Sequence, residues 1–119
     1  MSFRVHATAA VLEDVVEIGE WIASRGAPEA AVRWVTGLME ALRSLRAMPE
    51  RCPIAPEDAG LEQEIRHAVF GDYRVLFVVR GREVFMLHVR HGHRRGATLG
   101  ELAGALEEVE RAELPSDAR

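Results

Sequence analysis

The sequence predicts an α+β fold of order β-α-α-β-β-β, with two N-terminal helices packed on one face of a small, largely antiparallel sheet and an acidic amphipathic helix at the C-terminus. Three features predict it. Apolar residues recur at helical spacing between residues 8 and 48. Three strand-like runs follow, EIRHAVF, YRVLFVVR and EVFMLHVR, joined by the two-residue turns Gly71-Asp72 and Gly81-Arg82. Last, Thr98 and Glu101 form a T-x-x-E capping box ahead of Leu99, Leu102, Leu106 and Val109.

Each element has its own justification. FRVH at 3–6 reads as a short first strand. Thr8 caps a helix whose stripe is Val11, Val15, Ile18 and Ile22, and Ser24-Arg25-Gly26 ends it. Pro28 suits the first turn of a second helix, with Ala31, Val35, Leu38, Leu42 and Leu45 on its apolar side, running to about Met48. Trp21 and Trp34 lie near these stripes and read as helix contacts. MPERCPIAPEDAG, 48–60, holds three prolines and a glycine and reads as loop. Glycine at the first central position of both later turns is the mark of a type II′ hairpin.

Composition narrows the class. A chain of 119 residues, 48% hydrophobic and 29% charged, is one ordinary globular domain. A lone cysteine, Cys52, excludes an intrachain disulfide and fits a reducing compartment. Glu13, Asp14, Glu17 and Glu20 interrupt any signal-peptide pattern, and VLFVV is far too short to span a bilayer, so a cytoplasmic location is expected. The net charge of −4 is uneven: residues 62–96 carry seven Arg against four acids, whereas 97–119 carry two Arg against six acids. All 15 basic residues are Arg, the better fork for phosphate. A basic patch on an acidic protein implies an anionic or partly acidic partner for the middle segment.

The tight turns allow a register. Pairing Phe70 with Tyr73 sets Arg66 opposite Phe77. Pairing Arg80 with Glu83 sets Val75 opposite His88 and Tyr73 opposite Arg90. Side chains alternate across a sheet, so Arg66, Tyr73, His88 and Arg90 are expected together on a face left open. Ile65, Val69, Leu76, Val78, Phe85, Leu87 and Val89 are expected on the other face, as the floor for the two helices.

VRHGHRRG at 89–96 closes the last strand with titratable and cationic groups. Metal-free RNA cleavage needs a base, an acid and cations for the phosphorane, and histidine and arginine are suitable types. Arg66, His91, His93 and Arg94 are the catalytic candidates. Tyr73, Arg74, His88, Arg90 and Arg95 are candidates for contacting nucleic acid or a partner. A plain solvated strand end accounts for the same residues. Metal binding is disfavoured because Gly92 breaks the His91–His93 geometry and no spaced Cys/His pattern supplies further ligands; no metal or other cofactor is expected. The acidic last helix reads as packed on its own domain. A sharper alternative has it lie over the basic face, or join a second copy, and regulate access.

IR-x6-YRVLF at 65–77 and HVRHGHRR at 88–95, with DVVEIGEWI at 14–22 and PEAAVRWVTGLMEALRSLRAMPERCP at 28–53, resemble the RelE/ParE superfamily of bacterial type II toxins. The resemblance spans about residues 3 to 96. It implies a growth-inhibiting toxin domain at 1–97, followed by a helical extension and tail at 98–119. It also implies a cognate antitoxin that wraps the toxin, and a homodimer or toxin–antitoxin heterotetramer. RelE-like members cleave mRNA on the ribosome, whereas ParE-like members poison DNA gyrase. Arg66 and Arg94 match positions where RelE-like toxins keep phosphate-binding arginines, and His91-Gly92-x-Arg94 is similar to a ParE-like ending. The chain departs from the RelE pattern in lacking the lysines, and in having Gly100 where a tyrosine is usual. Gyrase poisoning is therefore the leading expectation, mRNA cleavage the alternative, and a non-toxic binding module the third.

Overall fold

A computed structural model describes residues 2–58, 64–91 and 97–113. Strand β1 (Arg4–Ala7) leads into helices α1 (Ala9–Arg25) and α2 (Pro28–Arg43). Short 3₁₀ turns at Ser44–Arg46, Pro49–Arg51 and Pro56–Asp58 follow, then strands β2 (Arg66–Phe70), β3 (Tyr73–Arg80) and β4 (Glu83–His91), and helix α3 (Leu99–Glu113). The sheet order is β1-β4-β3-β2, with β1 parallel to β4 and the meander antiparallel.

Local chemistry sets the boundaries. The Thr8 hydroxyl accepts from the Val11 N–H at 3.4 Å, and capping begins α1 there. Pro28 opens α2. That helix stops at Arg43, earlier than the apolar stripe predicts. Met48 precedes Pro49 and is held off helical geometry, at φ −143°, so the chain must leave the helix before it. Ser44 assists by donating its hydroxyl to the Ala41 carbonyl at 2.6 Å. Gly71 and Gly81 have φ of 57° and 59°, while among the described residues no other residue type has positive φ, which leaves type II′ as the turn form.

The register follows the glycine turns up to a point. Phe70 faces Tyr73, Arg66 faces Phe77, Arg80 faces Glu83 and Phe77 faces Met86, as the sequence predicts. Then β4 takes one extra residue: Leu76 pairs with His88, Val75 with Val89 and Tyr73 with His91. This bulge at Leu87 reverses the remainder of β4.

The expected open face is therefore corrected. Val75, Met86 and Val89 pack with Val11 and Leu38, joined by Tyr73, Phe70 and Trp34, while Phe77 and Val84 pack with Leu45. That face lies under α1 and α2. Tyr73 belongs to it, and so by strand alternation does Arg66. His88 and Arg90 alternate onto the opposite face. There Ile65, Leu76, Val78, Phe85 and Leu87 are covered by Leu102, Ala105, Leu106 and Val109 of α3. Of the residues expected beneath the first two helices, Val89 alone is there; Val69 is 69% exposed. Both faces of the sheet are buried, which is why its strands carry continuous apolar runs.

Candidate functional site

Where β1 ends, the neighbouring edge of β4 needs new partners, and α1 supplies them. The Asp14 carboxylate accepts from the Val89 N–H at 2.9 Å, pairs with His88 Nδ1 at 2.8 Å and with Arg90 at 3.0 Å. His88 Nε2 lies 3.3 Å from the Glu101 carbonyl, and Arg90 also meets the Glu101 carboxylate at 2.6 Å. Burial alone would raise the Asp14 pKa, but the His88 hydrogen bond, the Val89 N–H and the charge of Arg90 outweigh it, so the carboxyl sits below its ordinary value. Asp14 thus ties α1 to β4, and His88 and Arg90 carry the link on to Glu101 of α3.

A second buried pair lies farther along the same sheet face. Arg74 meets Glu57 in bidentate fashion, at 3.1 and 2.5 Å, with both side chains largely out of water. Arg74 also donates to His67 Nδ1 at 2.9 Å, and Glu57 accepts from the Ala97 N–H at 3.3 Å. Burial would raise Glu57, yet the Arg74 hydrogen bonds and charge hold it below the usual carboxylate range. Burial and the Arg74 charge push His67 down, against the smaller pull of Glu57.

Arg66 points into the loop before its own strand. Its guanidinium donates to the carbonyls of Cys52 and Glu50, at 2.6 and 3.2 Å, and pairs with Glu64 at 3.1 Å. The same loop runs along the β2 edge, with Ala55 N–H on the Ile65 carbonyl and His67 N–H on the Pro53 carbonyl. Burial pushes the Cys52 thiol up, although Arg66 opposes it. That is the environment of a thiol held protonated.

The predicted site is thus divided. Tyr73 and His91 come together as an edge-to-face pair with centroids 5.3 Å apart, and Trp34 packs on Tyr73 at 5.2 Å. Arg74, His88 and Arg90 lie on the opposite face, and Arg66 is held at the loop. The expected convergence of Arg66 with His88 does not occur. His93, Arg94 and Arg95 lie outside the described residues. Sequence reasoning missed the carboxylates that engage these arginines. Glu101 was legible as a capping residue, and its carboxylate does accept from the Thr98 N–H at 2.8 Å. Asp14 flanks the apolar stripe of α1 without a distinguishing pattern. Glu57 sits in a proline-rich loop that carries no period.

Beside the Tyr73–His91 pair, a cleft of about 530 Å³ opens between α1 and the strand ends, lined by Asp14, Glu17, Trp21, Asp72, Tyr73 and Arg90 among others. Among the described residues no three His, Cys, Asp or Glu side chains gather as a metal site, and no helix is long and apolar enough to cross a membrane.

Comparison with known proteins agrees with this architecture. The family model described as the ParE toxin of the type II toxin–antitoxin system parDE matches residues 5–96. The solved chromosomal ParDE system of P. aeruginosa is similar at 18% identity with a TM-score of 0.63, covering 75% of this chain and 95% of that one. The RelBE2 toxin–antitoxin complex of Mycobacterium tuberculosis is similar at 23% identity with a TM-score of 0.49, covering 76% and 99%. No curated protein matches. With the family model spanning most of its length, the chain belongs to the ParE toxin family of type II toxin–antitoxin systems.

Proposed function

We propose that the chain is a toxin neutralised by a cognate antitoxin, and that it arrests growth by binding and poisoning DNA gyrase rather than by cutting mRNA. One observation carries the choice of mechanism. Arg66, Arg74 and Arg90, the meander arginines that a nuclease would turn on phosphate, are engaged by backbone carbonyls and by the carboxylates of Glu57, Asp14 and Glu101. A guanidinium already neutralised in a partly buried pair offers little to a phosphorane, because leaving its carboxylate unpaired costs several kcal/mol. Binding a protein target makes no such demand. In this reading the segment His91 to Arg95 contacts the target, with Arg94 the residue carried over from the family pattern.

Induced expression followed by mapping of cellular mRNA ends, with a DNA-damage reporter in the same cells, tests this. The expected outcome is growth arrest with the reporter induced and mRNA ends unchanged. Fresh codon-positioned cuts would overturn the gyrase reading in favour of a nuclease using Arg66, His91, His93 and Arg94. Absence of arrest would leave a non-toxic binding module.

A further inference from the structure

We propose that the cleft between α1 and the β2–β3 turn is a receptor for an arginine side chain presented by the antitoxin. The identity of the partner rests on the function proposed above; the chemistry of the cleft does not. Its charge balance comes first. Asp14 and Arg90 pair at 3.0 Å and Arg90 meets Glu101 as well, so these groups leave no net positive charge on the cleft wall. Glu17 on α1 and Asp72 in the β2–β3 turn stand exposed on opposite sides, and neither makes an ion pair with a described residue. Arg25, over the Trp21 ring, adds one positive charge, and the balance among these described groups stays negative, which repels phosphate and attracts a cation.

The walls decide which cation. Trp21 and Tyr73 bring aromatic rings to the cleft, and Ile18 and Val89 bring aliphatic surface. A planar guanidinium stacks on such rings while its methylene stem lies along apolar groups, whereas a compact, strongly hydrated ammonium gains less. The Trp21 indole already accepts a guanidinium within this chain: Arg25 lies 4.8 Å from its ring centroid. A cavity of about 530 Å³ also exceeds what one arginine side chain fills, leaving room for the backbone that carries it.

Titrating the full chain with Nα-acetyl-arginine amide, followed through the Trp21 indole N–H resonance, tests the cleft without any partner. Saturable binding in the range of about 1–10 mM is expected, as befits a single side chain. Nα-acetyl-citrulline amide, isosteric and uncharged, should give no saturable shift. The Glu17→Gln/Asp72→Asn double variant alters two exposed positions, so the fold holds, and it should weaken binding at least about fivefold. In the purified complex with the antitoxin, the probe should no longer move the Trp21 signal. No saturable shift, equal binding of citrulline, or a double variant of unchanged affinity would overturn the receptor. A probe that binds equally well in the complex would overturn the antitoxin as its occupant. If induction causes no growth arrest the toxin reading fails, while the titration of the free chain still reports on the cleft.

Discussion

Three of the meander arginines show how little residue type says about residue role. Arg66, Arg74 and Arg90 are the right chemistry for gripping phosphate, and each is instead a structural tie. The expected effect of Arg66→Ala is therefore a loss of stability. Two carbonyls held at 2.6 and 3.2 Å lose a charged donor, which costs about 1.5–3 kcal/mol and should appear as a lower denaturation midpoint at unchanged slope. A variant that keeps its stability yet loses toxicity would return Arg66 to the functional surface. Asp14→Asn keeps an acceptor for the Val89 N–H but removes the charge facing His88 and Arg90, and a similar loss is expected. Acid should act through the same groups. Asp14 and Glu57 both titrate below their ordinary 3.8 and 4.5 in the folded chain, so the stability they contribute is fully present above those values and disappears as pH falls through the depressed ones. Asp14→Asn should flatten part of that decline, measured as the denaturation midpoint between about pH 5 and pH 2.

Among the elements, the caps and tight turns set by local rules were legible in the sequence, whereas the end of α2 at Arg43, ahead of Met48 and Pro49, was not. The Thr8 cap, the Thr98–Glu101 capping box and both glycine-led turns follow from contacts within four residues, and the structure has all of them. Gly81 at φ 59° has nothing within 4 Å of an added Cβ, so Gly81→Ala tests the turn geometry alone and should cost about 1 kcal/mol. What could not be read was nonlocal. The extra residue at Leu87 lies where β1 leaves the sheet at Ala7, beyond which β4 is held by α1 and α3 instead of by a strand. A bulge of this kind has no signature in a run such as EVFMLHVR. Neither does the choice of face for α3, whose apolar stripe was evident but whose docking partner was not. Leu102 is fully buried between that helix and the strands, and Leu102→Ala should cost about 2–5 kcal/mol, read as a lower midpoint in urea.

For the whole molecule, family membership was readable from motifs spread over the chain, whereas the arrangement of the candidate site was not. A one-residue slip in β4 sends His88 and Arg90 to the face opposite Arg66 and Tyr73, so a site inferred from alternation alone breaks apart although most of its pairings were right. The charge pattern tells a similar story. The basic middle third and the acidic C-terminal segment look like a patch and its partner, and Arg90 with Glu101 realises part of that attraction inside one molecule. The division at residue 97 can be tested on these grounds. A chain ending there leaves Ile65, Leu76, Val78, Phe85 and Leu87 uncovered, and it is expected to aggregate or remain unfolded by circular dichroism and gel filtration.

Glu108, near the end of α3, accepts the Ala9 N–H with both carboxylate oxygens, at 2.9 and 2.8 Å, and so joins the last helix to the first turn of α1. During synthesis, then, the opening segments wait for the closing ones. The emerging polypeptide keeps one side of its strands bare until α3 clears the ribosomal tunnel, and translation halted before that helix should yield a product for proteases rather than a poison for the cell.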